Sequence, residues 1–208
     1  MEGKFIVFEG IDGSGKSTQF KLFCEKLKKR REILETREPT RDLIGNLITR
    51  RLKTETILPG HANGLIYTLL FYADRIEHNN MINRELEKGK TVVSDRYYHS
   101  TLAYQRTQGF DTGFILDLHR KLVEKGYVRV PDITFFIDLP AEEALKRIDS
   151  RKEKEKVHIF EHTEFLRKLR ENYLKLKDLP EENIQVIDGT GTVEQVQKRV
   201  WDRFSLKG

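Results

Sequence analysis

The stretch KFIVFEGIDGSGKSTQFKLF, residues 4–23, contains a short apolar run, then a glycine-rich loop, then an amphipathic segment. Within it, Gly10, Gly15, Lys16 and Ser17 match the pattern G-x-x-x-x-G-K-[ST] in full. In such loops the glycines let backbone N–H groups converge on phosphate oxygens, and the start of the next helix adds positive potential. The stretch therefore predicts a strand, a phosphate-binding loop and a helix that begins at about Lys16.

This loop predicts ATP or GTP as a ligand. The lysine of such a loop reaches the β- and γ-phosphates, and the hydroxyl that follows it can bind Mg²⁺. We therefore expect Lys16 to contact the transferring phosphate and Ser17 to bind the metal. The residues predicted to bind the nucleotide are Gly10, Ile11, Asp12, Gly13, Ser14, Gly15, Lys16, Ser17 and Thr18.

Short apolar runs alternate with segments of helical periodicity along the whole chain. Strands are predicted at Lys4–Glu9, Ile33–Thr36, Thr91–Asp95, Ile133–Asp138 and Ile184–Ile187. Helices are predicted at Lys16–Lys29, Leu43–Lys53, Leu65–Lys88, Ala141–Arg151, Thr163–Lys177 and Val193–Phe204. This alternation predicts βαβ units, and therefore a parallel sheet covered by helices in one α/β domain that spans residues 1–208.

Composition favours a small anionic ligand over a macromolecular one. Charged residues make up 34% of the 208 residues and the formal net charge is +5, but both signs are mixed along the helical segments instead of forming a basic stripe. The single cysteine, Cys24, excludes an intramolecular disulfide framework. Because no apolar run is long enough to cross a bilayer and no signal peptide precedes the first strand, we expect a cytoplasmic protein without a membrane or nucleic-acid partner.

The segments after two predicted strands separate the classes of phosphate-loop protein. A GTPase would carry N-K-x-D, which does not occur, and a motor ATPase would carry Glu after a strand-ending Asp, which neither Asp95 nor Asp138 has. Asp95 is followed by Arg96, and at the carboxyl end of a strand both side chains would face the ligand crevice. Asp95 could order Mg²⁺ while Arg96 clamps a phosphoryl group, although a structural ion pair is the alternative. We expect Asp138 to be structural.

Phe71 and Arg75 lie four residues apart on a predicted helix and therefore share one face. A ring that stacks on a base, beside a guanidinium that donates to a carbonyl oxygen, is a plausible reader of a pyrimidine. The alternatives are that Phe71 belongs to the core and that Arg75 is a solvated charge.

Seven segments resemble a known family in their order and spacing: GIDGSGKST, REPT, LLFYADR, DRYYHSTLAYQ, DLP, ALKR and FLRKLRENYLKL. On these segments the chain resembles the thymidylate kinases over essentially its whole length. The resemblance implies the P-loop NTPase fold, a three-layer sandwich with a five-stranded parallel sheet and a short lid. It also implies transfer of the γ-phosphoryl group of ATP to dTMP in dTTP synthesis, with Mg²⁺ as cofactor, in a homodimer packed through helices.

The resemblance further implies roles for individual residues. Phe71 would stack on thymine and Arg75 would bond its O4, while Arg41 would hold the acceptor phosphate, with Arg37 as a second candidate. Asp12 would bond the 3′-hydroxyl of the acceptor sugar or bridge acceptor and donor. The residues expected to bind the acceptor are Asp12, Arg41, Phe71, Arg75, Arg96, Ser100, Thr101, Tyr104 and Gln105.

The chain departs from the family pattern at two positions. Many thymidylate kinases carry Arg after the carboxylate of the phosphate loop, where this chain has Gly13, and those that lack it generally supply arginines from the lid. Here the lid, about residues 147–160, offers Arg147 and Arg151, although Ile159 stands where an Arg is frequent. We expect Arg147 to bind ATP. The residues expected to be catalytic are Lys16, Asp95, Arg96 and Arg151, and the metal ligands are Ser17 and Asp95.

Two other functions stay open on the residues alone. A deoxynucleoside kinase phosphorylates a hydroxyl, so it would need a base near the sugar 5′ position and would have less need of Arg41. A regulator that binds ATP without turnover would not depend on Arg96, and its binding to DNA or RNA would fall steeply with salt.

Overall fold

The computed structural model of the protein describes residues 3–54, 61–149, 163–179 and 182–205. Within these residues, five strands form one sheet in the order β2–β3–β1–β4–β5, and every neighbouring pair is parallel. The strands are β1 Phe5–Glu9, β2 Ile33–Arg37, β3 Thr91–Asp95, β4 Ile133–Asp138 and β5 Ile184–Asp188. All five predicted strands are confirmed, with small differences at their ends.

Helices cover both faces of the sheet. The described helices are α1 Lys16–Lys28, α2 Leu43–Thr54, α3 His61–Glu87, α4 Tyr98–Thr107, α5 Thr112–Glu124, α6 Ala141–Asp149, α7 Thr163–Leu176 and α8 Val193–Ser205. Six of them correspond to the predicted helices, whereas α4 and α5 were not predicted. No helix in the described ranges combines the length and the apolar composition that crossing a bilayer requires.

The core lies in two layers because successive side chains of a strand point to opposite faces. Phe5 and Val7 of β1 belong to one buried cluster, with α3, α4 and α7, whereas Ile6 and Phe8 belong to the other, with α1 and α8. All five residues of β1 are buried, as expected of a central parallel strand. The result is the predicted three-layer α/β sandwich.

Helix α4 was missed because its stability is not local. Tyr98, His99, Ser100 and Thr101 at its start have only moderate helix propensity. Its first turn is instead capped from another element, since a carboxylate oxygen of Glu9 accepts hydrogen bonds from the backbone N–H groups of Tyr97 at 2.8 Å and Ser100 at 3.2 Å. A carboxylate at a helix N-terminus satisfies unpaired N–H groups and complements the helix dipole.

Helix α5, in contrast, carried a local signal that sequence reasoning overlooked. The side chain of Asp111 accepts hydrogen bonds from the backbone N–H groups of Gly113 at 2.8 Å and Phe114 at 3.4 Å. Asp is a preferred residue at this capping position, so its presence after Gly109 could have predicted the start of the helix.

Candidate active site

The site forms where the carboxyl ends of β1, β2 and β3 meet. The strand register places Phe8 beside Asp95 and Asp95 beside Arg37. Residues that follow these strands therefore converge, as the rule for ligand crevices in parallel sheets predicts. The backbone N–H of Arg96 bonds the carbonyl of Phe8 at 2.9 Å, and that of Glu38 bonds the carbonyl of Asp95 at 3.1 Å, which fixes the three chain exits relative to one another.

The phosphate loop turns tightly between β1 and α1. Gly13 and Gly15 have φ angles of 83° and 90°, in the left-handed region that side chains disfavour. A Cβ atom on Gly13 would also lie 2.3 Å from the carbonyl oxygen of Ala144 in α6. An arginine cannot occupy this position while α6 packs here, which gives a physical reason for the departure from the family pattern.

Lys16, Asp95 and Ser17 form a charged group at the start of α1. The ammonium of Lys16 pairs with one oxygen of Asp95, and the hydroxyl of Ser17 donates to the other at 3.1 Å. Burial, with Arg96 nearby, lowers the pKa of Lys16. Burial acts to raise the pKa of Asp95, but Lys16 and Arg96 outweigh it and hold that pKa below its ordinary value. The start of α1 therefore holds together the ammonium of Lys16 and the side-chain oxygens of Ser17 and Asp95, beside the phosphate loop.

Arg96 connects the phosphate loop to α4. Its Nη2 donates to Asp12 at 2.6 Å, and its Nη1 lies 3.3 Å from the carbonyl of Gly10 and 3.1 Å from the hydroxyl of Ser100. The backbone of Arg96 has a φ of 74°, an uncommon conformation for a residue with a side chain that is often found at functional sites. The guanidinium thus lies between the residues predicted to bind the donor and those predicted to bind the acceptor.

Two residues that sequence reasoning missed hold Arg96 and α4. Glu9 is fully buried, and its Oε2 accepts from the hydroxyls of Ser100 at 2.7 Å and Tyr173 at 3.0 Å. Burial, with Glu9 nearby, raises the pKa of Tyr173, so its hydroxyl stays protonated while its oxygen accepts from Nη1 of Arg96 at 3.3 Å. A charged residue ending the otherwise apolar FIVFE was the available signal for Glu9.

A cavity of about 320 Å³ opens beside Arg96 and is lined by α3, α4 and the segment after β2. Eight of the nine residues predicted to bind the acceptor line it: Asp12, Phe71, Arg75, Arg96, Ser100, Thr101, Tyr104 and Gln105. Arg41 does not line it. Arg41 is exposed and lines a second cavity of about 500 Å³ with Ser17 and Asp95, and Arg37 lines both cavities.

Arg75 enters the first cavity with one nitrogen unpaired. Its Nε and Nη2 donate to one oxygen of Glu38 at 2.9 and 2.7 Å, and Nη2 also donates to Thr101 at 3.1 Å. Its Nη1 has no hydrogen-bond partner among the residues that the structure describes, and the same holds for Oε1 of Gln105. Both atoms are buried, and buried polar atoms are normally paired. Both residues line the cavity, so one donor and one acceptor without a hydrogen-bond partner belong to its walls.

A sequence model of the thymidylate kinase family matches residues 8–200. The chain belongs to the thymidylate kinase family. It is 44% identical over 208 residues to a probable thymidylate kinase of Thermococcus kodakarensis, covering 94% of each chain. It is also 40% identical over 201 residues to a probable thymidylate kinase of Methanocaldococcus jannaschii, covering 96% of this chain and 95% of that one. A third such relative, from Pyrococcus horikoshii, is 38% identical over 208 residues.

On the donor side, this member of the thymidylate kinase family brings α6 to the phosphate loop. The guanidinium of Arg147 lies 3.5 Å from the carbonyl of Ser14 and 3.3 Å from that of Gly189. Asp138 is structural as predicted, since both of its oxygens bond Arg170, at 2.5 and 2.8 Å. Arg151, Ile159 and most of the predicted lid lie outside the described residues, and their roles stay predictions.

Proposed function

We propose that the protein transfers the γ-phosphoryl group of ATP to dTMP, giving dTDP and ADP. The observation that carries this proposal is the pair of unpaired atoms in the first cavity, a donor on Arg75 and an acceptor on Gln105. Thymine presents an acceptor at O4 beside a donor at N3, which are the two complementary groups. Cytosine presents the reverse order, and both contacts would then be lost. The ring of Phe71 lines the same cavity and offers a stacking surface.

The geometry of the charged residues supports direct transfer between two bound phosphates. Such transfer needs positioning and stabilisation of charge on the transferring group more than covalent chemistry by the protein. Arg96 contacts Asp12 of the phosphate loop and Ser100 of the first cavity, called the acceptor cavity from here on. Its guanidinium can therefore neutralise charge where donor and acceptor phosphates meet. Lys16 would exchange its partner Asp95 for a phosphate oxygen of ATP.

We propose Mg²⁺ as the cofactor, held by Ser17 and Asp95. Their side-chain oxygens lie 3.1 Å apart, and Mg²⁺ prefers oxygen ligands. In the described part of the chain no cluster of three His, Cys, Asp or Glu side chains could hold a metal. A bound Mg²⁺ would neutralise phosphate charge, and nucleotide oxygens and water would complete its coordination.

We further propose a homodimer formed through α2 and α3, in the cytoplasm where its nucleotide substrates are found. Leu43 and Leu47 of α2 are 86% and 46% exposed, and Leu65 and Leu69 of α3 are 37% and 50% exposed. Each pair is one helical turn apart, so it shares a face that a second copy could cover. Light scattering should give the mass of two chains, and Leu43→Lys with Leu69→Lys should give the mass of one.

The function is tested by ADP formation from ATP and Mg²⁺ with dTMP, dUMP, dCMP, AMP, thymidine or no acceptor. We expect turnover with dTMP far above that with dCMP or AMP. Turnover with thymidine but not dTMP would instead identify a deoxynucleoside kinase. ATP binding without turnover on any acceptor would leave a regulator as the remaining function.

A further inference from the structure

A buried chain of hydrogen bonds runs from β2 through α3 to the acceptor cavity. Glu38 is 3% exposed and uses both carboxylate oxygens: Oε2 accepts from Arg75, and Oε1 lies 3.0 Å from Nδ1 of His78. Nε2 of His78 lies 2.7 Å from the hydroxyl of Thr36. His78 is itself 3% exposed and Arg75 is 1% exposed, so the part of the chain from His78 to Arg75 is shielded from water, whereas Thr36 is half-buried.

The chemistry of these groups fixes which atom donates. A carboxylate oxygen can only accept, so Nδ1 of His78 carries the hydrogen that bonds Oε1 of Glu38. In a neutral ring Nε2 is then an acceptor, and the Thr36 hydroxyl is placed to donate to it. The carboxylate of Glu38 therefore sets the tautomer, and the Thr36 hydroxyl, which can donate or accept, is compatible with it.

The contact with His78 constrains how Glu38 meets Arg75. A carboxylate and a guanidinium readily pair through two parallel bonds that use both oxygens. Here Oε2 alone accepts from the Nε and Nη2 edge of the guanidinium, while Oε1 is engaged by His78. Nη1, on the other side of the guanidinium, has no hydrogen-bond partner among the described residues. Without the donor on His78, the carboxylate could turn so that its two oxygens take Nε and Nη2 separately, and the guanidinium would tilt and change the direction of Nη1.

We propose that His78 is a positioning residue that sets the base specificity of the acceptor cavity by holding Glu38 so that Arg75 keeps its orientation, with Nη1 directed at the base. The inference rests on the proposed function, since it assigns thymine O4 as the partner of Nη1. His78 does not line the cavity that Arg75 enters; it lines the second one. Its effect on the base is therefore transmitted through Glu38.

Two substitutions at His78 separate this role from a packing role. The amide nitrogen of Asn occupies the place of Nδ1, whereas that of Gln occupies the place of Nε2, so only His78→Asn keeps the donor to Glu38. We expect His78→Gln to raise KM for dTMP about tenfold or more, the effect of losing one hydrogen bond to a charged group. It should also lower the preference for dTMP over dCMP, while KM for ATP is unchanged. His78→Asn should stay within about threefold of the wild type on each measure.

His119 provides a matched control. It is also a buried histidine of a helix, 7% exposed, but its ring packs on Tyr98 and no hydrogen bond links it to Glu38. His119→Asn should leave KM for dTMP unchanged. Equal effects of the Asn and Gln substitutions at His78, or no effect of either, would overturn the proposal.

A measurement on the wild-type chain covers the case in which the variants do not fold. Long-range ¹H–¹⁵N correlation of the imidazole ring, assigned through its contact with Thr36, should show a proton on Nδ1. A ring protonated only at Nε2 would overturn the proposal. Failure of the wild type to phosphorylate dTMP would instead reject the proposed function, and the tautomer would still report on the contact between His78 and Glu38.

Discussion

Tyr173 on α7 donates a hydrogen bond to the buried carboxylate of Glu9 at the end of β1, across 3.0 Å. The same hydroxyl lies 3.3 Å from Nη1 of Arg96. One phenol therefore contacts both Glu9, which caps α4, and the guanidinium of Arg96. Tyr173 and Glu9 are 164 positions apart in the chain, and the fold alone brings them together.

This relationship predicts the effect of Tyr173→Phe. The ring would stay in its stack on Phe136, with centroids 5.0 Å apart, so the fold should persist. Loss of the hydroxyl removes one partner each from Glu9 and Arg96, and we expect kcat to fall about tenfold with a smaller change in KM for ATP. Steady-state kinetics with both substrates measures this. A wild-type kcat would show that Tyr173 does not help to hold Arg96 in its working position.

The backbone conformation of Arg96 should lower stability, although its side chain is needed for activity. A residue with a side chain at φ 74° is strained, and glycine relieves that strain. Both Arg96→Gly and Arg96→Ala should lose activity by orders of magnitude, because neither carries the guanidinium. The Gly variant should nevertheless have a free energy of unfolding about 1 kcal/mol higher than the Ala variant. Urea unfolding compares the two, and equal stability would argue against backbone strain at this position.

Gly13 and Gly109 make a matched pair for testing the contact with α6. Their φ angles are 83° and 82°, but a Cβ on Gly13 would meet the carbonyl of Ala144 at 2.3 Å, whereas one on Gly109 has no heavy atom within 4 Å among the described residues. Substitution by Ala should cost about 1 kcal/mol at Gly109 and clearly more at Gly13.

The two variants should also differ in function. Only Gly13→Ala should raise KM for ATP, because the clash displaces the phosphate loop. Thermal unfolding and ATP titration of both variants test this. Matching losses of stability would show that α6 yields to the added atom.

His119 predicts a loss of stability in mild acid. Burial, with the charge of Arg75 next in importance, lowers its pKa from 6.5 to about 3. Between these pH values the unfolded chain binds a proton that the folded chain excludes, so this contribution to stability is complete above pH 6.5 and declines as the pH falls towards 3. For this residue the decline from pH 7.5 to pH 5 is about 2 kcal/mol. Unfolding at both pH values should show a smaller difference for His119→Asn than for the wild type.

Much of the fold and part of the site could be predicted because they are encoded in adjacent residues. Gly10 to Ser17 specify the phosphate loop through local backbone requirements, and apolar runs specify the strands. Likewise, the spacing of Phe71 and Arg75 places both side chains at the same cavity. Each of these inferences needs only a few consecutive residues.

The remaining features depend on pairings that no local pattern records. Glu9 caps α4 through the N-cap residue Tyr97, which lies 88 residues later, and Glu38 turns Arg75 towards the cavity from 37 residues away. Similarly, the direction of Arg41 depends on its loop, where the backbone N–H of Thr40 is fixed by Asp74 at 2.9 Å. Such partners follow from strand order and helix packing, which a sequence reading gives only in outline.

The buried carboxylate of Glu9 has a consequence for how this site can change in evolution. It joins three elements encoded far apart, because it ends β1, caps α4 and accepts from α7. Substitutions at Ser100 and Tyr173, which share this one acceptor, should therefore be non-additive in a double-mutant cycle. A single substitution that removes one of these partners leaves the buried charge of Glu9 with fewer hydrogen bonds. Simultaneous substitutions that also replace Glu9 avoid this cost. Glu9, Ser100 and Tyr173 are therefore expected to vary together across descendants of this chain.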